Sequence, residues 1–162
     1  MGLLKGIDPL LTADLLWVLR SMGHGDKICI CDCNFPAYQV STQTTSQKLV
    51  SLSSVSLPVA IDAIVGVLPL DHFVQHPARI MSPSPGMALP SEAVQVKAET
   101  QSSITKHAPA VVLSTLDRFD FYDEARTCFA IVQTSERRPY GNIILQKGVI
   151  GPDGTDLMPS SL

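Results

Sequence analysis

An α/β fold, a single compact domain with a largely parallel central sheet flanked by helices, is predicted by three observations. Apolar runs of strand length alternate along the chain with stretches whose apolar residues recur at helical spacing, the order that builds a parallel sheet. One run, Lys27-Ile28-Cys29-Ile30-Cys31-Asp32, is apolar almost without interruption, as a strand covered on both faces must be. Finally, 162 residues, 45% of them apolar and 17% charged, suffice for one core that removes roughly two-thirds of the unfolded surface from water.

The first helix opens at Leu10-Leu11-Thr12-Ala13-Asp14. Thr12 is its cap, Asp14 favours the positive end of the dipole, and Leu15, Leu16, Leu19 and Met22 form the core stripe. Gly23 and Gly25 stop it, Gly23 being free to take the left-handed conformation that ends many helices. In the strand that follows, Ile28, Ile30 and Asp32 share one face, and Cys29, Cys31 and Cys33 the other. Residues 38–56 are rich in Ser, Thr and Gln and receive no strand assignment. Ser56 caps a second helix with Pro58 in its first turn. Ile61, Ile64, Val65 and Leu68 give it a core face before Pro69-Leu70-Asp71 ends it.

Pro77, Pro83, Pro85 and Pro90 make 76–90 an exposed, proline-rich connection. A polar helix over about 91–103 has Val94 and Ala98 as its thin stripe. Ala110-Val111-Val112-Leu113-Ser114 reads as a strand, and Asp120 as the capped start of a helix with acidic residues in its first turn. Two strands close the pattern, Phe129-Ala130-Ile131-Val132-Gln133-Thr134 and Ile143-Ile144-Leu145-Gln146-Lys147, joined by a charged turn. The domain is expected to occupy 1–151, leaving 152–162 as a short C-terminal tail.

The net charge is −3 and no basic run occurs, so electrostatics recommends neither nucleic acid nor an anionic membrane as a partner. No apolar stretch approaches the ~18 to 20 residues of a membrane span. Asp8 and Pro9 interrupt the N-terminus too early for a signal peptide, and Gly6 stands where an acylation motif wants Ser or Thr. A cytoplasmic protein is expected. The four cysteines accompany no Cys-x-x-Cys or His-x-x-x-His pattern and read as small buried hydrophobes in a reduced compartment, with no metal site.

In Met22-Gly23-His24-Gly25-Asp26, a side chain that titrates near neutrality sits at a bend, one strand length from the Asp32 carboxylate. This is an acid–base site in outline. Four segments extend it: Leu4-Lys5-Gly6-Ile7 with Pro9-Leu10-Leu11; the His24 pentapeptide with Asp32-Cys33-Asn34-Phe35-Pro36-Ala37; Arg118-Phe119-Asp120-Phe121-Tyr122; and Tyr140-Gly141-Asn142-Ile143-Ile144-Leu145-Gln146-Lys147-Gly148-Val149. In this order the chain resembles the L-fucose mutarotase / D-ribose pyranase family, nearer its fucose branch, to about residue 150. The stretch 39–57 lacks the Arg-Ala-Asp-Gly string of that family, and Ser135-Glu136 stands for its Gly-Glu pair. The 82–90 stretch is also atypical.

The resemblance implies a compact α/β fold and a cofactor-free isomerase that interconverts the α and β anomers of a free reducing sugar, L-fucose first. It also implies a homo-oligomer whose site lies at a subunit contact. By the same resemblance His24 and Tyr122 are the acid–base pair, while Asp32, Asp71, Arg118, Tyr140, Gly141 and Asn142 bind the monosaccharide. The chemistry suits such a set: one proton leaves the anomeric hydroxyl, another reaches the ring oxygen, and two positioned groups at ~10² to 10⁴ each are enough.

Each residue also has an ordinary structural role open to it. His24 can be a helix-end loop residue, Asp32 a turn cap that otherwise binds sugar or orients His24, and Tyr122 a half-buried core tyrosine. Arg118 can pair with Asp120 or Glu124, and Asn142 can simply enter a strand. Arg137, Arg138, His72, His76 and His107 read as solvated. The competing functions are a ribose-pyranase-type ring interconversion, a sugar-binding module without turnover, and, last, a metal-dependent hydrolase using His24, Asp32 and Cys33.

Overall fold

The computed structural model describes residues 2–159; Met1 and positions 160–162 of the expected tail lie outside the described residues. Its six strands are β1 (Lys27–Cys31), β2 (Lys48–Leu52), β3 (Ala78–Ser82), β4 (Ser114–Asp117), β5 (Ala130–Thr134) and β6 (Ile143–Gln146). They form one sheet in the order β2-β5-β1-β6-β3-β4. β1 and β2 run parallel to β5, and β3 parallel to β4, whereas β6 runs antiparallel to β1 and β3. The sheet is thus mostly parallel, with one reversed strand inside it. A connection as short as 135–142 cannot carry the chain back for a parallel strand, so it passes over the end of β1 and returns.

The helices are α1 (Ala13–Ser21), α2 (Ala37–Ser41), α3 (Leu57–Val65), α4 (Ser91–His107) and α5 (Arg118–Arg126). The strand pleat sorts the core into two layers. Ile28, Ile30, Val50, Ile80, Val132 and Ile143 face α1, α3 and α4, while Cys29, Cys31, Met81, Ile131 and Ile144 face α2 and α5. Phe121 of α5 is fully buried in the second layer, a burial contributing ~1.5–3 kcal/mol. α3 is apolar on nearly every side because the sheet and α4 enclose it.

Several sequence expectations change here. Thr12 does cap α1, its hydroxyl accepting the Leu15 N–H, but the helix ends at Ser21 with Met22 extended. Lys147 Nζ closes that end, donating to the carbonyls of Leu19 at 2.7 Å and Met22 at 2.6 Å. The left-handed residue is Gly25 (φ 84°), not Gly23. Ser56 makes no capping bond; Glu136 accepts the Leu57 N–H instead. Residues 78–82 are not exposed connection but an interior strand, since Pro77 and Pro83 bracket β3 without interrupting it. The inward face of α4 is Ala93, Val96, Thr100 and Ile104, one residue round from the expected stripe, leaving Val94 and Ala98 exposed.

β4 begins only at Ser114 because the Gln101 carboxamide bonds the Val111 carbonyl and the Leu113 N–H, taking the place of a ladder for 111–113. α5 starts at Arg118, capped by Asp117 rather than Asp120. The unassigned 38–56 stretch supplies α2 and the edge strand β2. Cys33 is exposed, unlike Cys29, Cys31 and Cys128, whose thiols burial pushes upward and away from reactivity. The tail folds back, Ile150 bridging to Asp156. Among the described residues, no helix is long and apolar enough to cross a membrane.

Candidate active site

The predicted residues gather at two places, one at each end of β1. At the first, the turn between α1 and β1 is closed by the Gly23 N–H donating to Asp26 Oδ2 at 2.7 Å and by the Gly25 N–H donating to the Lys147 carbonyl at 2.9 Å. His24 projects from it with its side chain 51% exposed, and its Nε2 lies 3.2 Å from Oδ2 of Asp71, whose side chain is 2% exposed. Asp71 accepts two more bonds, from Gln146 Nε2 at 3.0 Å on Oδ2 and from the Phe73 N–H at 3.0 Å on Oδ1. A carboxylate only accepts, so Nε2 carries the hydrogen of this bond, and in the neutral imidazole Nδ1 is the acceptor. His24 lines a cleft of about 420 Å³ with Leu16, Arg20, Pro69, Lys147 and Val149.

The chain after β6 fixes Asp71 in this position. Leu70 bridges antiparallel to Lys147, and the Asp71 N–H donates to the Gln146 carbonyl at 3.1 Å. Gly148 permits the approach: a Cβ there would collide with the Leu70 carbonyl oxygen and lie 2.9 Å from Asp71 Cα.

At the other end of β1, Asp32 and Asn142 are locked face to face. The Asp32 N–H donates to Asn142 Oδ1 at 2.9 Å, and Asn142 Nδ2 donates to Asp32 Oδ2 at 2.8 Å. The Asn34 N–H donates to Asp32 Oδ1 at 2.9 Å. Both side chains are buried. Burial pushes the Asp32 carboxyl up, opposed by the donors of Asn34, Asn142 and Phe35. Tyr140, left-handed at φ 61°, and Gly141 lead into Asn142.

That loop rests on Glu136. Gly141 sits so close that a Cβ would come within 2.7 Å of Glu136 Cγ. Burial alone would raise the Glu136 carboxyl, but the Arg138 guanidinium and the N–H groups of Arg138 and Leu57 bring it down to about 2. Tyr122 stacks on Phe35, ring centroids 5.3 Å apart, with the Arg118 guanidinium 5.7 Å from its ring. It lines a separate cavity of about 330 Å³ with Pro36, Gln39, Phe119 and Arg126.

The structure therefore joins His24 with Asp71, and Asp32 with Asn142, Tyr140 and Gly141, with Tyr122 and Arg118 nearby. It does not join the two sets. Five strand residues separate them, about 16 Å at ~3.3 Å per residue. Within one chain Asp32 does not orient His24; Asp71 holds that place. Arg118 pairs with neither Asp120 nor Glu124, since Glu124 is held by Lys27 and Arg79. Arg138, expected to be solvated, is tied to Glu136 and Glu99, and His72 and His107 pair with Asp156 and Asp62. The sequence does not single out Gln146, Lys147 or Glu136 as contributors; for the first two, a polar pair ending an apolar strand is the available signal. No group of three or more His, Cys, Asp or Glu side chains able to hold a metal occurs among the described residues.

Comparison with known proteins agrees with this arrangement of elements. The model of the RbsD / FucU transport protein family matches residues 5–150. The human fucose mutarotase is 35% identical over 150 residues, covering 93% of this chain and 96% of that protein. The L-fucose mutarotase of Glaesserella parasuis serovar 5 (strain SH0165) is 36% identical, covering 91% and 96%. A fucose mutarotase from Streptococcus pneumoniae, solved in complex with L-fucose, superposes with a TM-score of 0.79 at 32% identity, covering 91% of this chain and 100% of that one. On a family match across most of its length, this chain belongs to the RbsD / FucU family.

Proposed function

We propose that this protein is a fucose mutarotase, an isomerase that interconverts the α and β anomers of L-fucose by acid–base ring opening and closure. The observation that carries the chemistry is the His24/Asp71 pair, in which a buried carboxylate orients an imidazole that lines a cleft. In the forward step a base takes the proton of the anomeric hydroxyl, the C1–O5 bond breaks, and an acid protonates O5. Rotation about C1–C2 turns the aldehyde, and the same two groups close the ring on its other face. His24 and Tyr122 are the two groups in this reading, and Asp32, Arg118, Tyr140, Gly141 and Asn142 bind the sugar. Asp71 orients His24 as well as bordering the sugar site. No metal or organic cofactor is required, since nothing in the reaction needs an electron sink.

Within one chain the two sets stand at opposite ends of β1, a five-residue strand about 16 Å long. In this reading a head-to-tail contact between copies sets the His24 end of one against the Asp32 and Tyr122 end of the next, a heterologous contact of the kind that closes into rings. The separation of the two ends within one chain is what supports a homo-oligomer with the site at the subunit contact. Four free thiols support a cytoplasmic location.

Saturation-transfer NMR on equilibrated L-fucose, D-ribose and D-galactose tests the reading. Acceleration of anomer exchange is expected to be greatest for L-fucose. Faster ring-form exchange of D-ribose would favour the pyranase alternative, and binding without any acceleration would contradict an enzyme.

A further inference from the structure

Gln146 is the last residue of β6, and it grips Asp71 twice. Its carbonyl accepts the Asp71 N–H at 3.1 Å, and its carboxamide donates to Oδ2 at 3.0 Å, the same oxygen that faces His24 Nε2. Its own N–H is fixed by the Pro77 carbonyl at 2.8 Å, so the side chain is delivered from a rigid strand end. Asp71 is nearly sealed from solvent, and the Phe73 N–H holds its other oxygen, so removing one donor leaves the carboxylate in place. We propose that Gln146 is a positioning residue that acts on His24 through Asp71: its carboxamide occupies the same Oδ2 that faces Nε2 and draws part of its charge away from the imidazole. The inference rests on the reading of His24 as an acid–base group, and it sets how strongly that imidazole holds its proton.

The other charges around His24 stay constant when Gln146 changes. They are Asp26 in its own turn, Arg20 on α1 and Lys147 beyond β6. Without the carboxamide, Oδ2 serves His24 alone and stabilises the imidazolium more strongly.

The test is NMR titration of the His24 ring in wild type, Gln146→Leu and Gln146→Met, alongside the pH profile of kcat for anomer exchange. The midpoint of His24 is expected to move upward by on the order of one pH unit in both variants. The acid limb of kcat should follow it, while KM stays near the wild-type value because Gln146 does not reach the cleft. A His24 midpoint unmoved in a folded variant of either kind overturns the proposal. A midpoint that moves while the kcat profile stays put upholds the hold of Gln146 on the pair and removes His24 from the reaction instead.

Discussion

Two buried aspartates stand at opposite ends of β1, and their partners differ in kind. Asp71 meets a half-exposed imidazole across 3.2 Å, on a segment carried by turns and a single bridge. Asp32 meets the buried Asn142 amide through two reciprocal bonds, on a loop held down by Glu136 and Arg138. The first carboxylate has an ionisable partner, an imidazole; the second has an amide, which never ionises. In the proposed function one end moves a proton and the other holds a shape against which hydroxyl groups can register. The same residue type, buried to a similar degree, is thus set apart by whether its neighbour can ionise.

Removing the proton carrier should have the largest effect. His24→Ala is expected to slow anomer exchange by ~10² to 10⁴ in saturation-transfer NMR, with an unchanged circular dichroism spectrum. Near-wild-type exchange in that variant would place the chemistry elsewhere. Displacing the carboxylate behind it comes next. Gly148→Ala drives a Cβ against Leu70 and Asp71, so about a tenfold loss of kcat is expected, together with ~1–3 kcal/mol of stability in urea unfolding.

The holding end breaks with acid rather than with loss of a proton carrier. The Glu136 carboxyl is depressed in the folded state, so its contribution is whole above about pH 4.5 and is lost as pH falls towards about 2. Burial pushes Asp32 the other way, so its protonation at low pH does not add to this loss. Glu136→Gln should flatten acid unfolding across that window, and an unaltered profile would show that the buried carboxylate is not what acid attacks. The smallest effect expected is none: dialysis against EDTA should leave exchange unchanged at either end.

How much of this was legible in the sequence depended on whether a residue's partner lay close by. β1 and its two-faced burial read directly from 27–32, because alternation is a local property. β3 did not, because its ladder partners, β6 and β4, lie far along the chain and prolines flank it. His24 stood out between its glycines. The role of Gln146 was hidden, since nothing near it in sequence announces Asp71, 75 residues away. The separation of His24 from Asp32 was likewise obscured: one strand length looks short on paper, and becomes the length of the sheet once β1 is extended.

In the proposed function a working site takes its His24 end from one copy and its Tyr122 end from the next. His24→Ala and Tyr122→Phe proteins, each expected to be nearly inactive, can be refolded together in equal amounts and assayed for exchange on L-fucose. Random head-to-tail assembly predicts that about a quarter of the sites carry both intact groups, with exchange recovering to match. Activity no greater than the sum of the two variants alone would contradict a shared site.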